Sequence, residues 1–551
     1  MSSAVPAVRR FDLVERVRRA TRNSPWLVIA VMLHAILFAA LSIVYVTRAL
    51  AAKEERPIKV EVRSRPPTAD VEALAPPEPM VKRDEVPPDR PVELVPDDRD
   101  AFFLPSDSTE APDPYREVGD PDALSDLPHG SAISSTAIGP GGPGQRGSGP
   151  TAFYGSRNTA GFVDGGGGRP APEVFHTEKA VLEGLRWLLR HQDENGSWSA
   201  ATLREHCSAE APCTPAEADR SPAYDPGLTG LALLTFLGHG LTQESKAIIT
   251  DTAMGRTHVT GEAVGRGLRW LIGEIGPDGS FENYAGSLYN EAIGALALAE
   301  AYGISGNKTL RQPAQRMIDH LVAAQKTNPT GSGRWGWRYT PGGDAVADMS
   351  VTGWVVMALK SARMSGLRVP QDALDGALQF SHWVTGEDGL VGYVDPAAAG
   401  QPVSGHDDHF DYHVGTMSAL GMLTRAFVAH DIEDPFLELA AARIVQDLPA
   451  VGAEGLSIDY YYWYYATLAL NQLDGPDSPR HTGRYWNPWN EAMQAALLGL
   501  QDSNAERDVC SRGGWLRPDR WSYAGGPIYS TALNVLTLEV YYRYPNAFGQ
   551  R

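Results

Sequence analysis

Two kinds of helical pattern alternate along residues 173–551. The first kind has one polar face and leads into a turn with glycine and an aromatic residue, as in 180–198. The second kind is apolar on every side, as in 228–240. Because a helix with a polar stripe lies outside and a helix that is apolar all round is buried, the pattern predicts outer and inner helices in turn.

The apolar segments recur roughly every 60 residues, with a shorter fifth unit and a longer sixth. Repeats of this kind stack their hydrophobic faces on their neighbours. The sequence therefore predicts an all-α fold, an α/α toroid of about six helical hairpins around a central cavity. The predicted inner helices are 228–240, 289–303, 350–366, 414–427, 461–475 and 529–544.

Three of the outer segments carry a glutamine followed by glycine and tryptophan. They read Gln192…Gly196-x-Trp198, Gln325…Gly333-x-Trp335 and Gln501…Gly513-Gly514-Trp515. This pattern resembles the QW motif of squalene-hopene cyclases, so residues 173–551 resemble the terpenoid cyclase and protein prenyltransferase toroid superfamily. The resemblance implies that the glutamine and tryptophan tie each outer helix to its turn, which is a structural role.

The catalytic motifs of that superfamily are missing from residues 173–551. The sequence has no DxDD acid of class II terpene cyclases, no D-x-C zinc arrangement of prenyltransferases and no Cys-Gly-Glu-Gln thioester. It therefore predicts no cofactor and leaves two functions open. One is a toroid that binds a ligand or acts as a scaffold; the other is an enzyme on an isoprenoid or other lipid with a non-standard acid. Candidate acids for the second are Asp348, Asp407, Asp408 and Asp411.

Several inner helices are preceded by an aspartate, namely Asp225, Asp348, Asp411 and Asp459. A carboxylate there can cap the helix, since it accepts hydrogen bonds from free N–H groups at the positive helix end. The alternative is that this rim lines one mouth of the cavity and contacts an apolar or lipid ligand. The ligand-binding candidates are Tyr289, Asn290, Glu291, Ser350, Asp459, Tyr461 and Tyr529.

Two further groups have metal or redox chemistry. His409 and His413 are four positions apart among aspartates, which suits zinc on a helix, although caps in a solvated loop explain the same residues. Cys207 and Cys213 lie on one short loop, and we expect a disulfide between them outside the cytoplasm. Cys510 is left over, either buried or linked to another chain.

The N-terminal region predicts a membrane anchor. Residues 24–47 contain no charged side chain and are long enough to cross a bilayer as a helix. The basic segment 1–23 places the N-terminus in the cytoplasm. A signal peptide cleaved after Ala51 is the alternative. His34 within the span is either a neutral histidine or a contact to a partner helix.

Residues 48–172 are rich in proline and glycine, which predicts a disordered linker. The anchor and linker resemble those of TonB-type proteins. We therefore expect a single-pass inner-membrane protein with a periplasmic toroid, whose candidate partners are the membrane and envelope proteins. A net charge of −19 argues against nucleic acid as a partner.

Overall fold

The structure is a computed structural model. It describes residues 172–207, 213, 221–251, 255–281, 284, 287–329, 331, 333–341, 346–396, 415–452, 455–503, 510–544 and 546–548. The predicted cytoplasmic segment, transmembrane helix and linker lie outside these residues, apart from Pro172. Within the described part of the chain, no helix combines the length and hydropathy that a bilayer crossing requires.

The described residues form twelve long helices that alternate between two layers. In chain order they and the two strands are α1 (Pro172–Arg190), α2 (Asp225–Gly238), β1 (Ile248–Asp251), β2 (Arg256–Val259), α3 (Thr260–Gly273), α4 (Leu288–Ser305), α5 (Arg311–Ala323), α6 (Met349–Met364), α7 (Gln371–Trp383), α8 (Gly415–Val428), α9 (Pro435–Ile444), α10 (Tyr460–Asp474), α11 (Trp486–Leu500) and α12 (Gly526–Leu538). A short helix, α13 (Val540–Arg543), follows. The odd-numbered helices up to α11 are outer, and the even-numbered helices are inner.

The inner helices form a closed ring. Each packs against the next, and α12 packs against α2, so the last inner helix meets the first. The outer helices fill the grooves between them, and α11 contacts α1 across the same junction. The predicted toroid of six hairpins is therefore present. The first five predicted inner segments match the observed helices to within three residues, whereas the sixth, 529–544, runs six residues past the end of α12 and includes α13.

Burial explains the two layers. Every residue of α2 is buried, because inner helices have protein on all sides. The outer helix α5 buries only one stripe, which includes Met317, Ile318 and Leu321. The apolar stripe of each outer helix faces the ring, and its polar face meets solvent.

Hydrogen bonds from the motif glutamines link consecutive units. Gln192 Nε2 donates to the carbonyl of Gly196 in its own turn and to that of Ala263 on α3, both at 2.9 Å. The indole N–H of Trp198 donates to Leu188 O at 2.8 Å and satisfies a carbonyl near the end of α1. One turn thus holds two outer helices.

The third unit repeats this arrangement with a different tryptophan. Gln325 donates to the carbonyls of Trp335 and of Ala373 on α7. Here Trp337, and not Trp335 as the motif suggests, donates its indole N–H to Leu321 O at 2.7 Å. The spacing is nevertheless that of the first unit, since in both units the donating tryptophan follows the residue whose carbonyl accepts from the glutamine by two positions.

Side chains from non-adjacent inner helices meet at the ring axis. Trp354 of α6 lies 6.0 Å from Tyr464 and 5.6 Å from Tyr465 of α10, measured between ring centroids. Arg543 pairs with Glu300 of α4 at 3.6 Å, and both side chains are fully buried. The centre at these levels is therefore filled by aromatic groups and an ion pair.

One local feature departs from the all-α prediction. Strands β1 and β2 form an antiparallel hairpin between α2 and α3, in which Ile248 pairs with Val259. β1 alternates between partly and fully buried residues, the period of a strand, but at four residues it is too short to stand out in the sequence.

Candidate functional site

The starts of the inner helices meet at one end of the ring, which we call the N-terminal mouth. Its centre is a hydrogen-bonded row of three side chains, Tyr289, Ser350 and Asp348. The Tyr289 hydroxyl donates to Ser350 Oγ, and Ser350 Oγ donates to Asp348 Oδ1 at 2.7 Å. Since this row joins the first turns of α4 and α6, these helices run parallel.

The two carboxyl oxygens of Asp348 have different surroundings. Asp348 is the N-cap of α6, and Oδ1 also accepts from Val351 N at 2.8 Å. Oδ2 is buried and has no hydrogen-bond partner among the residues that the structure describes, and Asp348 has no exposed surface. Burial raises the pKa of Asp348 to about 6. Helix capping was one of the two roles that the sequence predicted for this aspartate, and it is confirmed for Oδ1. Oδ2 takes no part in the cap.

A second carboxyl group of the mouth belongs to Asp459, the N-cap of α10. Its Oδ1 accepts from Tyr462 N at 2.9 Å and from the indole N–H of Trp521 at 3.2 Å. Asp459 is buried. It therefore fixes both the start of α10 and the position of the Trp521 ring at the mouth.

Asp519 lies beside Asp459, and the sequence analysis did not select it. Its Oδ2 accepts from Tyr460 N at 2.9 Å and from the Tyr529 hydroxyl at 3.4 Å. Burial, together with the charge of Asp459, raises the pKa of Asp519 to about 7. Asp348 and Asp459 stand directly before their helices, whereas Asp519 stands seven residues before the first residue of α12. Because of this larger separation, the spacing in the sequence did not reveal Asp519.

Tyrosine rings lie close to these carboxyl groups. Tyr461 lies 4.9 Å from Tyr465 and 5.7 Å from Trp521, measured between ring centroids. Tyr289 lies 5.7 Å from Tyr339, which is 39% exposed and forms the outer edge of the mouth. Burial raises the pKa values of Tyr289, Tyr461, Tyr465 and Tyr529 well above the usual range, so these phenols are neutral.

The mouth therefore offers aromatic faces, neutral hydroxyl groups and carboxyl groups in one place. Aromatic faces bind apolar surface or cations, and the polar groups orient a ligand by hydrogen bonds. A carboxyl group that is protonated near neutral pH can also donate a proton. Such a site suits a ligand with both an apolar part and hydrogen-bonding groups.

Two of the predicted ligand-binding residues point away from the mouth. Asn290 donates from Nδ2 to the Ala223 carbonyl at 2.8 Å and so joins α4 to the segment before α2. Glu291 pairs with His320 of the outer helix α5 at 3.0 Å. Successive helical residues point in different directions, which is why Tyr289 reaches the mouth and its two neighbours do not.

The cluster predicted from Asp407, Asp408, His409, Asp411 and His413 lies outside the described residues. In the sequence it directly precedes α8. Its proposed acid and zinc-binding roles remain predictions.

The cysteines correct an expectation. Cys207 and Cys213 are not joined by the predicted disulfide in the structure, and the Cys510 thiol lies beside Cys213. The three Sγ atoms instead surround Nε2 of His191, at 3.8 Å, 3.5 Å and 3.2 Å respectively. The sequence could not show this cluster, because Cys510 is 319 positions from His191.

No protein-family model matches the chain, and no curated protein matches it. Solved structures do. The α-1,6-mannanase of Salegentibacter sp., in complex with α-1,6-mannotetrose, aligns with a TM-score of 0.42 and 11% identity over 69% of this chain and 100% of that chain.

The type II terpene cyclase MstE from Scytonema, in complex with geranylgeranyl dihydroxybenzoate, aligns with a TM-score of 0.40 and 14% identity. The alignment covers 68% of this chain and 98% of the cyclase. Both neighbours are α/α toroids, and the cyclase is of the kind that the sequence resembles. At these identities the similarity concerns the fold alone, and the toroid itself is established by the helix packing described above.

Proposed function

We propose that the chain is a membrane-anchored toroid that binds an amphipathic ligand at the N-terminal mouth, outside the cytoplasm. The observation that carries the proposal is Asp348 Oδ2, a buried carboxyl oxygen close to the tyrosines of the mouth for which the described part of the chain provides no hydrogen-bond partner. A buried polar atom without a partner is costly, and a ligand that supplies the partner removes the cost.

The surroundings of Asp348 support a ligand with two characters. Tyr289 and Tyr461 add neutral hydroxyl groups, and Trp521 adds an apolar face. A lipid or isoprenoid with a polar end combines both properties. The sequence of residues 24–47 would place the toroid near a membrane that contains such molecules.

Native mass spectrometry of the full-length chain, released from detergent micelles, tests ligand binding. We expect a bound species that leaves on denaturation and is reduced in Tyr289→Phe and Asp348→Asn. Tyr485→Phe, which removes a hydroxyl bonded to Glu438 on the outer layer, is the matched control. If both mouth variants retain the species as the control does, the mouth is not its site.

The proposed location has its own test. If the N-terminus is in the cytoplasm, protease added to spheroplasts should degrade the toroid. In that location the toroid can contact envelope proteins as partners. Protection of the toroid in spheroplasts, with cleavage only after lysis, would contradict this location.

The same carboxyl oxygen supports a second candidate function, an enzyme on an isoprenoid or other lipid with Asp348 as acid. A pKa of about 6 leaves part of the Asp348 population protonated near neutral pH. Comparing the species bound to the natural chain and to Asp348→Asn separates the two functions. A different molecule on the variant indicates blocked conversion, and the same molecule on both indicates binding alone.

A further inference from the structure

We propose that His191, Cys207, Cys213 and Cys510 bind a zinc ion that joins the first and last units of the ring. We call these four residues the seam cluster. Its ligand atoms lie within 4.8 Å of one another. The site is separate from the N-terminal mouth, and the proposal does not depend on the proposed function.

The distances fit tetrahedral coordination. With Zn–S of about 2.3 Å and Zn–N of about 2.0 Å, neighbouring ligand atoms lie roughly 3.5–3.8 Å apart. In the structure the three sulfur atoms lie 3.2–3.8 Å from His191 Nε2, and Cys213 Sγ lies 3.5 Å from Cys510 Sγ. A disulfide needs a sulfur–sulfur distance of about 2.05 Å, so Cys213 and Cys510 are not bonded to each other, and their separation is compatible with two ligands of one ion.

The histidine is oriented for binding a metal. Its Nδ1 is 2.7 Å from the Trp187 carbonyl. Because a carbonyl only accepts, Nδ1 carries the hydrogen and Nε2 presents its lone pair to the three sulfur atoms. The indole of Trp187 stacks on the imidazole at 4.0 Å between centroids and holds the ring in this orientation.

The thiols have supporting contacts as well. The backbone N–H of Cys213 donates to Cys207 Sγ at 3.3 Å, which stabilises a thiolate. Cys213 and Cys510 are buried, and Cys207 is half-buried. Four protein ligands complete a tetrahedron and leave no open position, which is typical of structural zinc and not of catalytic zinc.

The position of the cluster shows what the metal would do. His191 follows α1, Cys207 and Cys213 belong to the segment between α1 and α2, and Cys510 lies between α11 and α12. The ion would therefore link the first hairpin to the last, across 297 positions from Cys213 to Cys510. Arg512 and Glu183 pair across the same junction at 3.3 Å, so the zinc would reinforce the place where the ring closes.

Metal analysis of the full-length chain, purified in detergent without chelator, is the first test. We expect one zinc per chain in the natural protein and zinc near background in Cys510→Ser and His191→Ala. His206→Ala is the matched control, since this neighbouring histidine is paired with Asp193 at 2.8 Å and is not in the cluster. Full zinc content in Cys510→Ser would overturn the proposal.

An absorption spectrum of the natural chain tests the site without variants, whose loss of zinc could result from a failure to fold. When Co(II) replaces zinc in the natural chain, we expect the strong visible absorption and the sulfur-to-metal charge transfer of tetrahedral thiolate coordination. The intact mass, measured without reductant, shows whether two of the cysteines have formed a disulfide. A Cys207–Cys213 disulfide in the freshly purified chain, or a chain that takes up neither metal, would overturn the site.

The role at the junction needs a separate readout. Removing the metal with a chelator should lower Tm by several degrees, and returning zinc should restore it. An unchanged Tm on complete zinc removal would overturn the inference that the ion holds the ring closed.

Discussion

Gln501 Nε2 donates to the carbonyl of Ala180 at 2.8 Å, although 321 positions separate the two residues. The contact is the same as that of Gln192 with Ala263 and of Gln325 with Ala373, which join consecutive outer helices. The ring is thus closed with the hydrogen bond that its units use elsewhere.

Replacing Gln501 should weaken this closure. In Gln501→Ala the carbonyls of Ala180 and Gly513 lose their donor, and we expect the free energy of unfolding to fall by about 1–3 kcal/mol. Urea unfolding measures the loss. Gln371→Ala removes an exposed glutamine with a bond to Asp375 and should change stability by less than about 0.5 kcal/mol. Equal effects of both substitutions would contradict a special role for Gln501.

Two glycine-to-alanine substitutions should change the stability of the fold in opposite directions. Gly513 has φ +88°, and a Cβ there would lie 2.2 Å from the Glu183 carbonyl oxygen. We expect Gly513→Ala to lower stability by about 1–2 kcal/mol or more, since an L-residue resists this conformation. Gly499 on α11 has open space, so Gly499→Ala should raise stability by up to about 1 kcal/mol. Thermal and urea unfolding check both, and a neutral Gly513→Ala would refute the argument.

The Asp348 carboxyl should make stability depend on pH. Burial raises its pKa from 3.8 to about 6 in the folded chain. As pH rises through this interval the unfolded chain ionises first, so stability is lost with rising pH and the loss levels off above the folded pKa. The size is about 3 kcal/mol, at 1.36 kcal/mol per pKa unit.

Asp348→Asn cannot ionise and should lack this slope. We therefore expect the variant to gain stability relative to the natural chain between about pH 4 and pH 7. Urea unfolding across that range measures the difference. A constant difference between Asp348→Asn and the natural chain would show that this carboxyl does not titrate as inferred.

The ion pair at the ring axis should be costly to break. Arg543→Met leaves Glu300 charged and buried, with the Tyr544 hydroxyl at 2.7 Å still donating to it. We expect a loss of about 3–5 kcal/mol. Adding Glu300→Gln should recover part of it, because the uncompensated charge is removed. Arg368→Met, at an exposed pair with Asp319, should cost less than about 1 kcal/mol.

The contrast between predicted and observed sites has a physical cause. The aspartates at helix starts were visible because capping is local, and Asp348 and Asp459 do cap α6 and α10. Asn290 and Glu291 were grouped with Tyr289 by sequence proximity, whereas helical geometry turns them toward other helices. Asp519 belongs to the mouth only because the loop before α12 returns to the start of α10.

The helical layers were predictable from the sequence, because the 3.6-residue period and the apolar inner segments are local properties that place each helix face toward solvent or toward the core. The sequence also indicated six units and, in three of them, the glutamine that holds the turn, although it pointed to Trp335 where Trp337 makes the contact. Tertiary structure alone decided which distant residues meet. Cys510 lies beside His191 because ring closure brings the last unit against the first. Asp519 lies beside Asp459 because the loop before α12 packs against the start of α10. No local sequence pattern contains these distances.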